Sequence, residues 1–239
     1  MSFSPLVVWH DVECGRYSAD LPLWRELAAA QPGAVLDVGA GTGRVALDLA
    51  RRGHAVTALD REPALLAALA ARAREEALAV TTVAADAQAF ALGRAFGLIV
   101  VPMQTVQLLP DRAGFLRAAH AHLARGGLLA LAIAAELEDF GALEHELPAP
   151  DVVTIAAWRF ASQPVAVRGL ATATRIERVR RTFAPDGRVT EEDDVIELAR
   201  LTAEQLADEG AAAGLTPEAP RVIPPTAEHV GSEVVLLRA

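Results

Sequence analysis

Val35-Leu36-Asp37-Val38-Gly39-Ala40-Gly41-Thr42-Gly43-Arg44 joins a short apolar run to three glycines at alternate positions, and the rest of the 239-residue chain is read outward from that joint. Glycine at 39, 41 and 43 lets the backbone turn sharply after a strand and lie against a ligand. A helix beginning just beyond would aim its free amide groups at the same place. This is a nucleotide-type loop. A dinucleotide fingerprint runs GxGxxG, whereas here Gly43 follows Gly41 after one residue and Arg44 occupies the position where the third glycine belongs. The spacing disfavours NAD or FAD.

Apolar period and chain breakers divide the first half into alternating strands and helices. Residues 34–38, after the turn Gln31-Pro32-Gly33, form the first buried strand. A helix carrying Val45, Leu47 and Leu49 ends near Gly53, and residues 55–59 make the second strand. Pro63 suits the first position of a helix running to about Leu78, residues 80–84 are a third strand and 97–101 a fourth. A helix over 111–124 stops at Arg125-Gly126-Gly127, and 128–134 is a fifth strand, continuously apolar as in strands buried on both faces. Strands separated by helices predict an α/β, Rossmann-like doubly wound sheet. The expectation is seven strands, mostly parallel with an antiparallel last strand, plus a late antiparallel β insertion.

The period changes after Glu136. A polar helical stretch is expected to about Leu147, then 152–160 and 170–183 read as extended, with a turn at Pro185-Asp186-Gly187 before 189–198. Arg175, Arg178, Arg180 and Arg181 run against Glu191, Glu192, Asp193, Asp194 and Glu197, as cross-strand pairing favours. A solvated hairpin face accounts for them better than an anion-binding cluster. Thr202 caps a helix to about Gly214, with Glu204 and Gln205 in its first turn, and residues 215–223 and 233–237 supply two closing strands.

Composition removes whole classes of answer. With 52% hydrophobic and 22% charged residues the chain can bury a full core, and no apolar run approaches the roughly 18 residues of a membrane span. The N-terminus lacks the basic flank and apolar stretch of a secretory signal, so a cytoplasmic location and no membrane partner are expected. Cys14 is the only cysteine, which excludes an intramolecular disulfide and a CxxC site. The net charge of −9 argues against a nucleic-acid partner. All basic residues are arginine, so Schiff-base chemistry and a lysine-bearing P-loop are excluded. No metal site is expected.

Taken together, the residues resemble class I S-adenosylmethionine-dependent methyltransferases of the bacterial small-molecule type, whose first motif has the form Asp37-x-Gly39-x-Gly41-x-Gly43. The resemblance covers about residues 33–135, and more weakly the chain from 202 onward. It implies S-adenosyl-L-methionine as cofactor, with S-adenosyl-L-homocysteine as product. It gives Asp60, at the end of the second strand and followed by Arg61, the ribose diol. It gives Asp86, at the end of the third, the adenine amino group, and the Ala87 amide the ring. Val101-Pro102-Met103-Gln104 matches the region lining the methionine and methyl group. Ala40 and Arg44 belong to the glycine loop. Trp9-His10-Asp11-Val12-Glu13-Cys14-Gly15-Arg16-Tyr17, followed by Asp20, resembles the family's leader, and Tyr17 or Arg16 could meet the methionine carboxylate.

The resemblance further implies one methyltransferase domain, 1–239: an N-terminal cap segment 1–32, a cofactor-binding core 33–135, an acceptor-side insertion 136–200, and a closing helix and strands 201–239. Methyl transfer is an in-line displacement that good positioning alone can drive, so no catalytic residue is assigned. His10 and His145 are candidate bases, Gln104 and Gln107 candidate acceptor contacts, while His120 and His122 read as structural or solvated. Trp158, Phe160 and Phe183 could form an acceptor wall or lid, a dimer contact or plain core. The fourth motif is not the Asn/Asp-Pro-Pro-aromatic tetrad of enzymes that methylate nucleic-acid bases. The expected activity is transfer of a methyl group to an oxygen or nitrogen of a small organic molecule by a monomer or homodimer. The alternatives are an NAD-type oxidoreductase and an S-adenosylmethionine-binding protein without activity.

Overall fold

The computed structural model describes residues 4–134, 137, 139–141, 147–226 and 229–239. Over its described residues the chain forms two compact units, a larger one from 18–135, 201–226 and 230–239, and a smaller one from 1–17, 136–200 and 227–229. The N-terminal segment thus divides at Tyr17. α1 (Pro5–Cys14) lies in the smaller unit, and α2 (Leu21–Ala30) opens the larger. There follow β1 (Val35–Val38), α3 (Arg44–Ala50), β2 (Val56–Asp60), α4 (Pro63–Glu75), β3 (Val80–Ala84), β4 (Phe96–Val101), a 3-10 turn (Thr105–Leu108), α5 (Arg112–His122) and β5 (Leu123–Ala134). β6 (Phe140–Gly141), β7 (Asp151–Ile155), β8 (Trp158–Gly169), β9 (Ala173–Phe183) and β10 (Val189–Ala199) build the smaller unit's sheet. α6 (Ala203–Ala212), β11 (Thr216–Ile223) and β12 (Ser232–Arg238) complete the larger.

The larger unit's sheet runs β11-β12-β5-β4-β1-β2-β3. β1 to β5 are mutually parallel, β12 is antiparallel to β5, and β11 is antiparallel to β12. Only the last strand in chain order therefore opposes the common direction, as the sequence predicts. Each central strand feeds two cores: Val35, Ala58, Leu98 and Val100 pack with Trp24, Leu49 and Leu69 of the helices on one face. Leu36, Leu59, Ile99 and Val101 pack with Phe115, Leu116 and Leu206 on the other. Helix ends follow their sequence signals: Pro63 begins α4, Asp111 accepts from the Gly114 amide at 2.8 Å, and Thr202 with Gln205 closes a capping box on α6. The order reverses between β1 and β4, where open α/β sheets collect ligands.

Two boundaries depart from expectation. β5 begins at Leu123, because Arg125-Gly126-Gly127 forms a bulge within the strand rather than a turn before it: Gly126 has φ +73° and its amide donates to the Ala239 carbonyl at 3.1 Å. α5 accordingly stops at His122. That side chain is structural. The Leu92 amide donates to its Nε2 at 2.8 Å, so Nδ1 carries the proton and donates to the Ala118 carbonyl at 2.7 Å. His122→Ala is expected to lower stability by about 1–3 kcal/mol through the stranded Leu92 amide, read as a fall in the urea midpoint. An unchanged midpoint would remove this contact from the account.

In the smaller unit the sheet runs β10-β9-β8-β6, with β7 also pairing β8. The single strand expected over 152–160 is a hairpin, because Ala156 takes φ +53° and turns the chain between β7 and β8. The helix expected over 136–147 is replaced at 140–141 by β6, paired with Val167 and Ala166, and residues 142–146 lie outside the described residues. Glu191 and Glu192 face Arg181 and Arg180 in the β9–β10 register. Arg181 pairs with Glu191 at 2.6 Å on the exposed face, as a solvated hairpin would. Arg180 is instead drawn inward. It grips Glu13 of α1 through two hydrogen bonds of 2.7 and 2.8 Å, reaches Asp194 at 2.8 Å, and lies 5.4 Å over the Trp9 ring.

Candidate functional site

β1 delivers Asp37 to the carboxyl edge of the sheet, and the glycine loop turns back over it. The loop is held from both sides. Gly39 and Ala40 amides donate to the Leu59 carbonyl at 2.8 and 3.0 Å, and the Gly41 amide donates to Asp60 Oδ2 at 2.8 Å. Gly39 and Gly43 sit at φ +72° and +97°, conformations that L side chains resist. A Cβ on Gly39 would also stand 2.5 Å from Thr105 Cγ2, so the segment after β4 presses directly on the loop. Thr105 in turn donates to the Pro102 carbonyl at 3.1 Å, and Met103 between them has φ +56°. Strained backbone of this kind persists only where its surroundings enforce it.

Three carboxylates gather on these elements. Asp37 is 1% exposed; the Ala46 backbone amide in the first turn of α3 is directed at its carboxylate, and no side chain among the described residues hydrogen-bonds to it. Burial pushes its carboxyl up to about 7, against the opposing pull of the Arg44 guanidinium, while Asp60 and Asp20 add to the rise. Asp60 closes β2 and accepts from the Gly41 and Glu62 amides, leaving further lone pairs for a ligand. The Ala85 amide donates to the Asp60 carbonyl at 3.1 Å, which brings the ends of β2 and β3 side by side. There Asp86 is exposed; the Gln88 backbone amide and then its side chain hold its carboxyl below the usual range.

The remaining expected residues fall into distinct settings. Arg44 opens α3, and its guanidinium is taken by Asp20 at 2.5 and 2.8 Å. Arg61 is exposed and pairs with Glu62 at 3.5 Å. Ala87 is half-buried beside Asp86, and Met103 and Gln104 are half-buried after β4. Gln107 is buried and accepts from the Ala134 amide at 2.8 Å, tying the 3-10 turn to the end of β5. Tyr17 belongs to the smaller unit, where its buried ring meets His229 edge-on at 4.9 Å. Arg16 donates to the Val152 carbonyl, and His10 is half-buried on α1. His145 lies outside the described residues.

Of the insertion aromatics, Phe160 packs edge-on to Trp9 at 5.7 Å and helps line a cavity of about 240 Å³ within the smaller unit. Trp158 packs beside that cluster, and Arg159 covers the Phe183 ring. Sequence reasoning missed Thr105 and Asp20 as parts of the loop's surroundings. A threonine after a strand and an aspartate 24 positions before its arginine carry no local signal. Among the described residues no cluster of three or more potential metal ligands occurs, and no helix is long and apolar enough to cross a membrane.

Residues 35–127 match the family model described as a methyltransferase domain. No curated protein matches the chain. Among solved structures it is similar to the S-adenosylmethionine-bound amino pentose methyltransferase CalS10 of Micromonospora echinaspora, at 25% identity and TM-score 0.72 over 100% of this chain and 98% of that one. It is similar in fold to the sugar N-methyltransferase KedS8 of Streptoalloteichus sp ATCC 53650, at 23% identity and TM-score 0.75, covering 100% and 95% of the two chains. DesVI of Streptomyces venezuelae follows the same fold at 20% identity and TM-score 0.75, over 98% and 99%.

Proposed function

We propose that this chain, an S-adenosylmethionine-dependent methyltransferase of class I fold, moves the methyl group to an oxygen or nitrogen of a small organic acceptor and holds the cofactor in the larger unit's glycine loop. The observation that carries the cofactor reading is the acidic setting of that loop. Asp37, Asp60 and Asp20 outnumber the guanidiniums of Arg44 and Arg72 around it, and Asp37 is fully buried with the Ala46 backbone amide as its hydrogen-bonding neighbour. A buried carboxylate calls for a compensating cation, and the methionyl end of S-adenosylmethionine bears two positive centres. A dinucleotide's pyrophosphate at the same loop would meet repulsion instead. The residues fit the cationic cofactor.

Bound S-adenosylmethionine supplies a methyl group already activated by its sulfonium. The chain's own residues do the holding. Asp37 faces the cationic methionyl end. Asp60, anchored by two backbone amides, offers its remaining lone pairs to the ribose diol. Asp86, kept ionised by Gln88, and the Ala87 amide serve the adenine. The strained Met103 and Gln104 segment borders the methyl end. With geometry fixed in this way, near-attack positioning supplies much of the rate, and an amine acceptor needs only to arrive deprotonated.

We keep His10 and His145 as candidate bases and residues 136–200 as the acceptor-side region. CalS10, an amino pentose methyltransferase, and KedS8, a sugar N-methyltransferase, make sugar amines the first acceptors to screen. The net charge of −9 supports a small molecule over a nucleic acid. A cytoplasmic monomer or homodimer remains the working assignment. The test is calorimetric titration of the purified chain with S-adenosylhomocysteine beside NAD. Binding of the first without the second is expected; the reverse would make the loop a deviant dinucleotide site and overturn the reading.

A further inference from the structure

α5 is capped by a residue from outside the helix. Asp111, its N-cap, accepts from the Gly114 amide at 2.8 Å, which is half of a capping box. The other half needs a Glu or Gln at the position of Gly114 to take the N-cap amide, and glycine has no side chain to offer. α6 makes the whole box within itself, through Thr202 and Gln205. In α5 the missing acceptor is Gln88, from the connection after β3: the Asp111 amide donates to its Oε1 at 2.7 Å. The glycine is what lets that connection come so close, because a Cβ at 114 would stand 2.9 Å from the Gln88 carbonyl oxygen and closer still to the Asp111 carboxylate.

This contact fixes more than a helix end. An amide side chain has an acceptor end and a donor end, and a backbone N–H can meet only the first. With Oε1 turned to Asp111, Nε2 faces the other way, and there it donates to Asp86 Oδ1 at 3.1 Å and Oδ2 at 3.2 Å. The Gln88 backbone amide adds a bond to Oδ1 at 2.8 Å. Arg61, after β2, is the charged group that bears on Asp86, and it too favours the ionised form. A carboxylate held in this way accepts hydrogen bonds and donates none. We infer that Gln88 is a positioning residue: locked by the α5 N-cap amide, it holds the Asp86 carboxylate as an acceptor for the amino group on the cofactor's purine, and so favours a 6-aminopurine over a 6-oxopurine. This rests on the assignment of Asp86 to the adenine.

A Gln88 that only capped α5 would, when replaced, affect every ligand alike through the helix end. A positioning residue affects the amino group alone. The test is the affinity of the whole chain for S-adenosylhomocysteine and for S-inosylhomocysteine, in which a carbonyl oxygen replaces the amino group, by calorimetry on wild type, Asp86→Ala, Gln88→Leu and Gln88→Glu. Wild type is expected to prefer the adenosyl compound by about tenfold or more, since the carboxylate gains a hydrogen bond from the amino group and repels the carbonyl. Asp86→Ala should lose the preference. Gln88→Leu should lower it by about threefold or more through weaker binding of the adenosyl compound, with inosyl affinity held.

Gln88→Glu gives a pH signature. The substituted carboxyl keeps one oxygen for the Asp111 amide, and two carboxyls at hydrogen-bonding distance share a proton to higher pH than either would alone. Protonated, the new carboxyl donates to Asp86 as the amide does; ionised, it repels Asp86. The adenosyl-over-inosyl ratio should therefore approach wild type at about pH 5 and fall by about threefold or more by about pH 8, while the wild-type ratio stays level. Equal loss of both ligands in Gln88→Leu, an unchanged preference there, or a Gln88→Glu ratio indifferent to pH would each leave Gln88 a cap alone and overturn the inference. Where Gln88→Leu lacks native circular dichroism, the Gln88→Glu profile decides. A preference absent from wild type, or unchanged in a folded Asp86→Ala, removes Asp86 from the adenine and the inference with it, while cofactor binding stands. A wild-type chain that binds neither compound overturns the cofactor reading itself.

Discussion

Asp60→Ala is expected to weaken S-adenosylhomocysteine binding by about tenfold or more, because hydrogen bonds to a charged group contribute about 1.5–3 kcal/mol each. Two losses combine in this variant. The proposed contact with the ribose diol is lost, and the Gly41 and Glu62 amides lose the carboxylate that pins the turn. Asp60→Asn separates them: its amide oxygen can still accept from one backbone amide, so it should retain more of the loop's order while losing the charge. Calorimetric titration of both variants, each checked for native circular dichroism, gives the ranking wild type, Asp60→Asn, Asp60→Ala. Unchanged affinity in a folded Asp60→Ala would remove Asp60 from the site.

Gly39→Ala is expected to cost about 2–5 kcal/mol of stability, the sum of a left-handed alanine and an overpacked contact. At φ +72° the added methyl has nowhere to turn, with Thr105 Cγ2 at 2.5 Å and Oγ1 at 2.8 Å. Either the glycine loop or the 3-10 turn must move, and both border the proposed cofactor. Cofactor affinity should therefore fall along with the urea midpoint. A second change, Thr105→Ala, removes the two nearest atoms but not the backbone strain, so in the Gly39→Ala background it should recover part of the loss. Gly39→Ala with wild-type stability would contradict the close approach of the two segments.

The chain announces both of these positions locally. Asp37, Gly39, Asp60 and Asp86 sit at strand ends, where a run of apolar residues stops at an acid or a glycine, and that punctuation is local. The alternation of strand and helix up to β4 was legible for the same reason. Legibility fails where conformation depends on partners remote in sequence. Ala156 adopts φ +53° with no glycine or proline to mark it, so two strands read as one. Phe140 and Gly141 are extended because Val167 and Ala166 pair with them, against a polar pattern that reads as helix. Gly126 and Gly127 look like a turn until the Ala239 backbone bonds to both. The grip of Asp20 on Arg44 and the pressure of Thr105 on Gly39 likewise exist only in three dimensions.

The position of β12 carries a consequence for how the chain comes into being. It lies between β5 and β11, pairing Ser232–Arg238 with residues 128–134, yet the whole of the smaller unit's sheet is translated between the two partners. A nascent chain that has assembled the parallel strands must therefore hold Leu128-Leu129-Ala130-Leu131-Ala132-Ile133 as an open sheet edge until β12 arrives. That segment is uncharged, lacks proline and is fully buried in the finished fold. Such an edge invites pairing with other copies. Aggregation during overproduction should accordingly track the speed of translation through residues 135–231 and be relieved by slower synthesis or chaperone supply, with no change in the stability of the folded protein.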